Sequence, residues 1–210
     1  MSVTSNNIRI KDRRALLREQ SDEDLMTHFQ TGVVDAFDIL VERYSERLFH
    51  YLYGFVKDER QVEDLLQETF MRVHRNRHAF EPIARFSTWL YTIAGNLARS
   101  EYRRRKRQRT YSLHSTGRDG EEYEMDIPAE TLSPDRHTEA GIQDRHIQRA
   151  LDLIPEDFRE VVVLRDVQQL TYEEIADITG LPMGTVKSRI NRGRTKLQEL
   201  LKDVYVPQVE

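Results

Sequence analysis

The stretch that most constrains the fold is residues 171–201, which has the pattern of two helices joined by a tight turn. Thr171 and Glu174 have the spacing of a capping box, in which two side chains satisfy each other's backbone N–H groups at a helix start. Gly180 offers the positive φ at which helices commonly end, and Pro182 suits the first turn of a following helix. This layout predicts a helix-turn-helix.

The second helix of this pair is strongly basic. Residues 184–202 contain six cations and one acid, Glu199, while regularly spaced aliphatic residues are expected to face a core. Arg and Lys in the first turns of such a helix can pair with guanine O6 and N7 in a major groove. A solvated basic helix on an ordinary bundle is the alternative, but the cap, the turn and the one-signed charge together favour DNA readout. The predicted contact residues are Thr185, Lys187, Ser188, Arg189 and Arg192.

The composition of the chain limits the other possibilities. Its 210 residues suffice for one large domain or two small ones, and the net charge of −4 does not by itself indicate nucleic-acid binding. Cysteine is absent, which excludes disulfides, thiolate nucleophiles and Cys-ligated zinc. There is no apolar run of about 18 residues and no signal peptide, so we expect a soluble, cytoplasmic protein without membrane insertion.

The N-terminal part is predicted to be entirely helical. Residues 1–20 lack a sustained apolar face and are expected to form a mobile tail, with order beginning at Ser21. Beyond Ser21, apolar residues recur at spacings of three and four, and Pro82 interrupts this periodicity once. The predicted helices cover residues 21–32, 34–56, about 60–78 and about 87–108.

The last of these helices carries two different stripes. One is apolar and is expected to face the core. The other combines an indole, a hydroxyl, an amide and two guanidiniums, which can stack on bases and bond to base edges or phosphate. The cations at residues 103–109 exceed what a helix C-terminus requires and favour phosphate contact. The polar stripe consists of Trp89, Thr92, Asn96, Arg99 and Arg103.

A strongly acidic segment separates the two cationic regions. Residues 108–144 contain three basic and nine acidic residues, a net charge of −6, and glycines and prolines interrupt any periodicity. This composition predicts a flexible linker over residues 109–144. The predicted fold class is therefore all-α, with two small helical domains, residues 21–108 and 145–205, joined by this linker. The second domain contains the helix-turn-helix.

Patterns typical of enzymes are weak in this sequence. There is no Gly-rich phosphate loop, nucleophile elbow or zincin helix. His74 and His78 are four residues apart, but a third ligand is not evident and neighbouring arginines would repel a metal ion. We therefore predict no catalytic residues, no metal and no cofactor, and we expect the protein not to be an enzyme.

Three stretches, in this order, resemble a known family. They are EDLLQETFMRVHR at residues 63–75, FSTWLYTIAGNLARSEYRRRKR at residues 86–107, and LTYEEIADITGLPMGTVKSRINRGRTKLQELL at residues 170–201. Together they resemble the bacterial extracytoplasmic-function sigma factors, which are small promoter-specificity subunits of RNA polymerase. The resemblance extends over residues 21–201.

The resemblance implies roles for both domains. Residues 34–109 would grip the minus-10 promoter element, and the turn at residues 81–86 would shape a pocket for a flipped base. The C-terminal domain would read the minus-35 element with the five recognition residues named above, and the linker would thread toward the RNA exit path. The minus-10 and melting residues implied in this way are Arg85, Phe86, Trp89, Asn96, Arg99 and Arg103.

The resemblance also implies partners. These are promoter DNA, core RNA polymerase through its β′ coiled coil and β flap, and a helical anti-sigma factor. The implied polymerase-binding residues are Asp64, Gln67, Glu68 and Arg72.

Two further classes of function are left open by the residues alone. A free-standing regulator would use the helix-turn-helix on duplex DNA and its N-terminal domain for sensing or dimerisation. A nucleic-acid enzyme would need a metal or nucleophile site. The first alternative differs from the sigma-factor interpretation in whether the stripe containing Trp89, Asn96 and Arg99 faces the core of its own domain.

Overall fold

The computed structural model describes the backbone of residues 14–115 and 139–202, with side chains for residues 14–108 and 146–202. Throughout these ranges the regular elements are helices, which confirms the predicted all-α class. A 3₁₀ turn, Arg77–Ala79, follows α3, and a π-helical turn, Val163–Val167, follows α6. The helices are α1 Asp22–Gln30, α2 Val34–Val56, α3 Glu59–Arg75, α4 Phe86–Ser115, α5 Glu139–Leu153, α6 Glu156–Val162, α7 Tyr172–Thr179 and α8 Met183–Leu201.

Side-chain oxygens cap the N-termini of two helices in the N-terminal domain. The Ser21 hydroxyl accepts from the backbone N–H of Asp24 at 3.1 Å, as the cap pattern predicted. At the start of α4, the backbone N–H of Phe86 donates to the Glu23 carboxylate at 2.9 Å. This carboxylate belongs to α1, so it both satisfies a free N–H of α4 and joins the two helices.

The core of the N-terminal domain forms around α2, which contacts α1, α3 and α4. Leu48 and Leu52 of α2 are fully buried, as is Leu90 of the predicted apolar stripe on α4. Ala94 and Ala98 continue that stripe, and their small side chains allow close approach of the helices. Each fully buried leucine contributes about 1.5–3 kcal/mol of transfer free energy, so this stripe fixes the orientation of α4.

Order begins earlier than Ser21. Residues 14–18 are helical, and Leu17 is buried in the core of the N-terminal domain. Arg14 and Arg18 pair with the Glu42 carboxylate of α2 at 2.5 and 2.8 Å. The chain is therefore already helical ahead of Ser21, because one buried leucine and two ion pairs hold a segment too short to show a periodic apolar face.

The C-terminal domain contains the predicted helix-turn-helix. Thr171 and Glu174 form the capping box, with the Glu174 N–H donating to the Thr171 hydroxyl at 3.2 Å and the Thr171 N–H donating to the Glu174 carboxylate at 2.7 Å. Gly180 ends α7 at φ 69°. Pro182 precedes α8 as its cap, so the helix starts at Met183.

A second glycine of this domain permits close packing. Gly193 lies in the middle of α8, where glycine costs roughly 0.5–1 kcal/mol relative to alanine. A Cβ atom at this position would lie 2.5 Å from Cγ2 of Val162, so α8 can approach α6 only because the side chain is absent.

The two domains pack directly against each other. α2 contacts α6, and α4 contacts α7. Leu170 and Ile178 of the C-terminal domain belong to the same buried apolar cluster as Tyr51 and Tyr91 of the N-terminal domain. The apolar period of a helix does not distinguish burial within one domain from burial between two.

The boundaries of the predicted linker also change. α4 continues to Ser115 and α5 begins at Glu139, so both helices extend into the range 109–144. The rest of the predicted flexible linker, residues 116–138, and the predicted N-terminal tail before residue 14 lie outside the described residues.

Candidate nucleic-acid interface

The cationic side of α8 lies opposite its buried side. Val186 and Ile190 are fully buried, whereas Lys187, Ser188 and Arg192 are exposed. The α-helical period therefore places these three polar side chains on a surface open to solvent. Cations presented in this way can enter a major groove without disturbing the core.

Thr185 and Arg189 of the predicted recognition set are partly covered. The Thr185 carbonyl accepts a hydrogen bond from the Ser188 hydroxyl at 3.0 Å. Nη2 of Arg189 lies 3.1 Å from the Asp157 carboxylate of α6, and 26% of its side chain is exposed. Because Asp157 is itself 68% exposed, this ion pair is open to water and can be exchanged for a base or phosphate contact.

Two other cations on α8 have partners at the start of the helix-turn-helix. The Arg194 guanidinium makes a bidentate pair with the Asp166 carboxylate, with contacts at 3.0 and 2.5 Å. Nζ of Lys187 lies 5.7 Å from the centre of the Tyr172 ring. Arg194 therefore anchors α8 to the preceding turn, which is consistent with its absence from the predicted recognition set.

At the aromatic end of the α4 stripe, the side chain of Trp89 packs partly against the domain core. Trp89 is partly buried, with its ring centroid 5.4 Å from that of Phe80 and 6.4 Å from that of Phe86. Phe86 itself is fully buried and also packs edge-on against Tyr44 at 5.4 Å. The prediction that Phe86 contacts DNA is therefore corrected, because its ring supports Trp89 from within the core and has no free face.

The polar end of the stripe points partly toward the other domain. Asn96 and Arg103 are exposed. Arg99 instead contacts the Glu160 carboxylate of α6 at 2.5 Å and the Ile178 carbonyl of α7 at 3.1 Å. Apart from Trp89, the stripe thus does not pack into the core of its own domain, and Arg99 is held by the C-terminal domain.

A polar cavity of about 520 Å³ lies beside the turn before α4. One wall is the exposed turn of residues 82–85, where the Arg85 side chain is 73% exposed and its Nε lies 3.4 Å from the Glu174 carboxylate. The opposite wall contains Tyr91 and Gln168. Burial raises the pKa of Tyr91, so its hydroxyl stays protonated and donates to Oε1 of Gln168 at 2.6 Å.

The predicted polymerase-binding residues occupy one side of α3. Asp64 and Gln67 are exposed, and Glu68 pairs with Arg72 at 2.8 Å. The Arg72 guanidinium donates to the Glu68 carboxylate and lowers its pKa, so this acid stays charged at neutral pH.

An apolar groove that sequence analysis missed adjoins the predicted polymerase-binding surface. It has a volume of about 380 Å³ and lies between α2 and α3. In the sequence, the feature that could have indicated this groove is Met71, an apolar residue on a side of α3 that otherwise looks polar; its side chain is 41% exposed. The main apolar residues along it are Phe37, Val41, Leu66, Phe70 and Met71.

The histidines considered as metal ligands have other surroundings. The His74 ring packs at 5.2 Å from Phe29 and 5.6 Å from Phe37, measured between ring centroids. Among residues 14–108 and 146–202, no three His, Cys, Asp or Glu side chains are grouped so that they could hold a metal ion. In the same part of the chain, no helix has the length and apolarity needed to cross a membrane.

Comparison with known proteins assigns both domains. The family model for sigma-70 region 2 matches residues 40–108, and the model for sigma-70 region 4 matches residues 144–197. The ECF RNA polymerase sigma factor SigW of Bacillus subtilis is 32% identical over 173 residues, which cover 82% of this chain and 92% of SigW. The chain belongs to the extracytoplasmic-function sigma factors. The sigma factor thus serves promoter-specific transcription initiation by RNA polymerase, in a family of non-catalytic initiation subunits.

A second relative and two solved structures agree. ECF RNA polymerase sigma factor SigE of Mycolicibacterium smegmatis is 37% identical over 81% of this chain, which spans 63% of SigE. CnrH, solved with the cytosolic domain of CnrY, is 26% identical with a TM-score of 0.62, covering 88% of this sigma factor and 99% of CnrH. The sigma factor RpoE of Bartonella quintana, solved with the anti-sigma factor NepR, is 28% identical with a TM-score of 0.56, covering 79% and 96%.

Proposed function

We propose that this sigma factor docks on core RNA polymerase through α3, reads the minus-35 duplex with α8, and captures melted minus-10 bases beside α4. It performs no chemistry of its own and acts in the cytoplasm, where bacterial polymerase meets the chromosome. The observation that carries this division of labour is the pair of cationic surfaces, one a recognition helix and the other an aromatic and polar stripe.

The minus-35 role is supported by the exposed face of α8. Lys187, Ser188 and Arg192 extend into solvent from the first turns of the helix, and Arg189 is held beside them by a water-exposed ion pair. Arginine and lysine in this arrangement recognise guanine in the major groove, and the serine can bond to a base edge or phosphate.

The minus-10 role is supported by the arrangement around Trp89. Phe80 and Phe86 hold the indole from one side, and a partly exposed ring held in this way is a stacking platform for an unpaired base. Arg85 and Asn96 supply exposed hydrogen-bonding groups on either side of it. Arg103 continues this exposed stripe one turn further along α4, where its guanidinium can contact the phosphate backbone.

The polymerase role is supported by the groove beside α3. An apolar groove lined also by Glu63 and Gln67, with Asp64, Glu68 and Arg72 at neighbouring positions of α3, suits an amphipathic helix of a partner. A coiled coil such as that of the polymerase β′ subunit presents such a helix. We further propose contact with the β flap through the C-terminal domain and regulation by an anti-sigma factor, as RpoE is bound by NepR.

Run-off transcription with purified core polymerase tests the proposed function. We expect transcripts that start at defined sites only when the sigma factor is added. The Asp64→Arg variant should lose polymerase binding and transcription while still binding minus-35 duplex, and Glu59→Arg, an equal charge change at an exposed position of the same helix, should retain both. Start sites that do not depend on the protein would refute the proposal.

A further inference from the structure

The last residue of α1 holds the chain where the connection between α3 and α4 begins. Nε2 of Gln30 donates to the carbonyl oxygen of Arg77 at 2.7 Å and to that of Phe80 at 2.8 Å. An amide nitrogen has two N–H donors and an amide oxygen has none, so the two carbonyl groups together fix the orientation of this side chain. Cζ of Arg77 also lies 5.6 Å from the centre of the Phe29 ring of α1.

Glu23, near the start of α1, holds the chain where the same connection ends. Its carboxylate accepts from the backbone N–H of Phe86 at 2.9 Å, the bond that caps α4. Glu23 and Gln30 are seven residues apart, so their side chains leave α1 on one side, about 10 Å apart along its axis. Met26 lies between them on that side and is fully buried. We name Glu23 and Gln30, with their three backbone partners, the α1 clamp.

The residues between the two ends of the connection do not pack into the core. Residues 81–85 are all exposed, whereas Phe80 and Phe86, on either side of them, are buried with ring centroids 6.0 Å apart. Within the turn, the backbone N–H of Ala84 donates to the Glu81 carbonyl at 3.0 Å. Residues 81–85 therefore form a short exposed turn whose two ends are anchored to α1.

Anchored ends restrict the conformations that an exposed turn can adopt. A backbone that is not fixed beforehand loses conformational freedom when a ligand orders it, and this loss weakens binding. Backbone carbonyl and N–H groups without a protein partner would also favour other conformations of the turn, in which water satisfies them. The α1 clamp therefore keeps the turn in one conformation before any ligand binds.

We propose that the α1 clamp sets the base selectivity of the minus-10 site, with Glu23 and Gln30 as positioning residues that act through the backbone of residues 81–85. The inference rests on the proposed function, in which Arg85 of this turn and the neighbouring Trp89 face the melted strand. A turn held in one conformation accepts a base that fits it and excludes others, whereas a loose turn adapts to all four bases.

Amide hydrogen exchange of the full-length protein tests the clamp without DNA. Gln30→Met, which keeps the side-chain length without the N–H donors, and Glu23→Ala should each raise the exchange rate of residues 81–86 about 10-fold, while α2 keeps its protection. Glu23→Gln retains an oxygen that can accept the same bond, so its exchange should stay within about twofold of wild type. Thr27→Ala on α1 and Glu19→Ala ahead of it, both at exposed positions, are the matched controls.

Base selectivity is measured with polymerase holoenzyme and single-stranded oligonucleotides that carry the non-template minus-10 sequence from the mapped start sites. Each position of this sequence is changed in turn to all four bases. Wild type should prefer one base at the position bound by the turn by about 10-fold. In Gln30→Met and Glu23→Ala this preference should fall to about twofold at that position alone, whereas Glu23→Gln and the two controls should keep it.

Three results would overturn the positioning role. Unchanged exchange of residues 81–86 in Gln30→Met and Glu23→Ala would show that α1 does not hold the turn. Faster exchange with the base preference preserved, or with an equal loss of affinity for every strand, would show that these hydrogen bonds serve stability alone. The exchange measurement needs neither DNA nor polymerase, and run-off transcription uses wild type, so failure of this inference is distinguishable from failure of the proposed function.

Discussion

The two cationic surfaces of this sigma factor differ in how much of each is open. On α8, Lys187 and Arg192 face solvent, and the helix packs on α5, α6 and α7 of its own domain. On α4, Arg99 is held by the carboxylate of Glu160 and by a backbone carbonyl of α7. With the two domains packed together, the surface proposed for duplex DNA is therefore open to solvent, while one residue of the surface proposed for a single strand, Arg99, already contacts the other domain.

This difference teaches that a dense run of cations does not reveal whether those cations are free. Arg99 and Arg192 look alike in sequence, each on the polar side of an amphipathic helix. What separates them is the position of one acid from a remote helix. The predictions below test how firmly this distinction holds, beginning with the largest expected effect.

Replacing Phe86, the buried aromatic residue at the start of α4, should show whether its ring stabilises the domain or contacts DNA. Phe86→Ala should lower the free energy of unfolding by about 3–5 kcal/mol, as expected for deletion of a buried phenylalanine. Urea denaturation of the full chain measures this, with Ile83→Ala, at a position 95% exposed, as the control expected to change little. Unchanged stability together with lost strand binding would restore a direct base contact for Phe86.

The open surface on α8 should respond to base identity. Arg189→Ala should weaken binding to minus-35 duplex by about 1–3 kcal/mol if its guanidinium contacts a guanine. Titration of duplexes with single base-pair changes would show the loss at one position only. Arg194→Ala, whose guanidinium is held by Asp166, should cause a smaller and sequence-independent loss. An equal loss on every duplex would instead make Arg189 a phosphate clamp.

The contribution of Arg99 on α4 to strand binding should appear in full only after its ion pair with Glu160 is removed. In wild type the guanidinium is already held by Glu160, so Arg99→Ala should change single-strand affinity by only about twofold. In the Glu160→Ala background this ion pair is absent, and Arg99→Ala should weaken single-strand binding about 10-fold. Arg103→Ala, at an exposed position, should cost the same in both backgrounds. Equal effects of Arg99→Ala in both backgrounds would contradict masking.

Packing of the two domains against each other should depend weakly on pH, because the carboxyl group of Glu160 lies between them. Burial raises the pKa of this carboxyl above its ordinary value, although Arg99 opposes the shift and Asp157 adds to it. The closed state therefore binds a proton more readily than the open one, and its population should fall as pH rises through the raised pKa. Energy transfer between dyes attached at His78→Cys and Gln198→Cys, two exposed positions in different domains, measures this against pH, and the Glu160→Gln variant should give a flat profile. A wild-type profile as flat as that of the variant would show that Glu160 does not report closure.

Local interactions were the most predictable from sequence. The capping box of Thr171 and Glu174 and the cap at Ser21 formed as expected, because each depends on atoms only three residues apart. The bounds of α2 agree with its apolar period for the same reason. The ends of α4 and α5 were less predictable, since acidic and glycine-containing sequence near residues 109–144 lowers the apparent helix propensity.

The sequence indicated the exposure of the predicted site residues better than it indicated their surroundings. Trp89, Asn96 and Arg103 keep surfaces open to solvent, as the polar stripe of α4 indicated. The buried position of Phe86 was missed because an aromatic residue at the start of a helix can either stack on a base or fill a core. Gln168 was missed because a single glutamine has no periodic pattern to mark it as buried.

The amino-acid sequence by itself determined the helices, the helix-turn-helix and the two cationic surfaces, because capping and amphipathic period act over one or two turns. The tertiary structure alone decided that Gln168 and Glu160 reach the other domain and that Arg99 is occupied there. These contacts join residues 61 to 121 positions apart, and the free energy of each depends on where packing of the two cores places the partner.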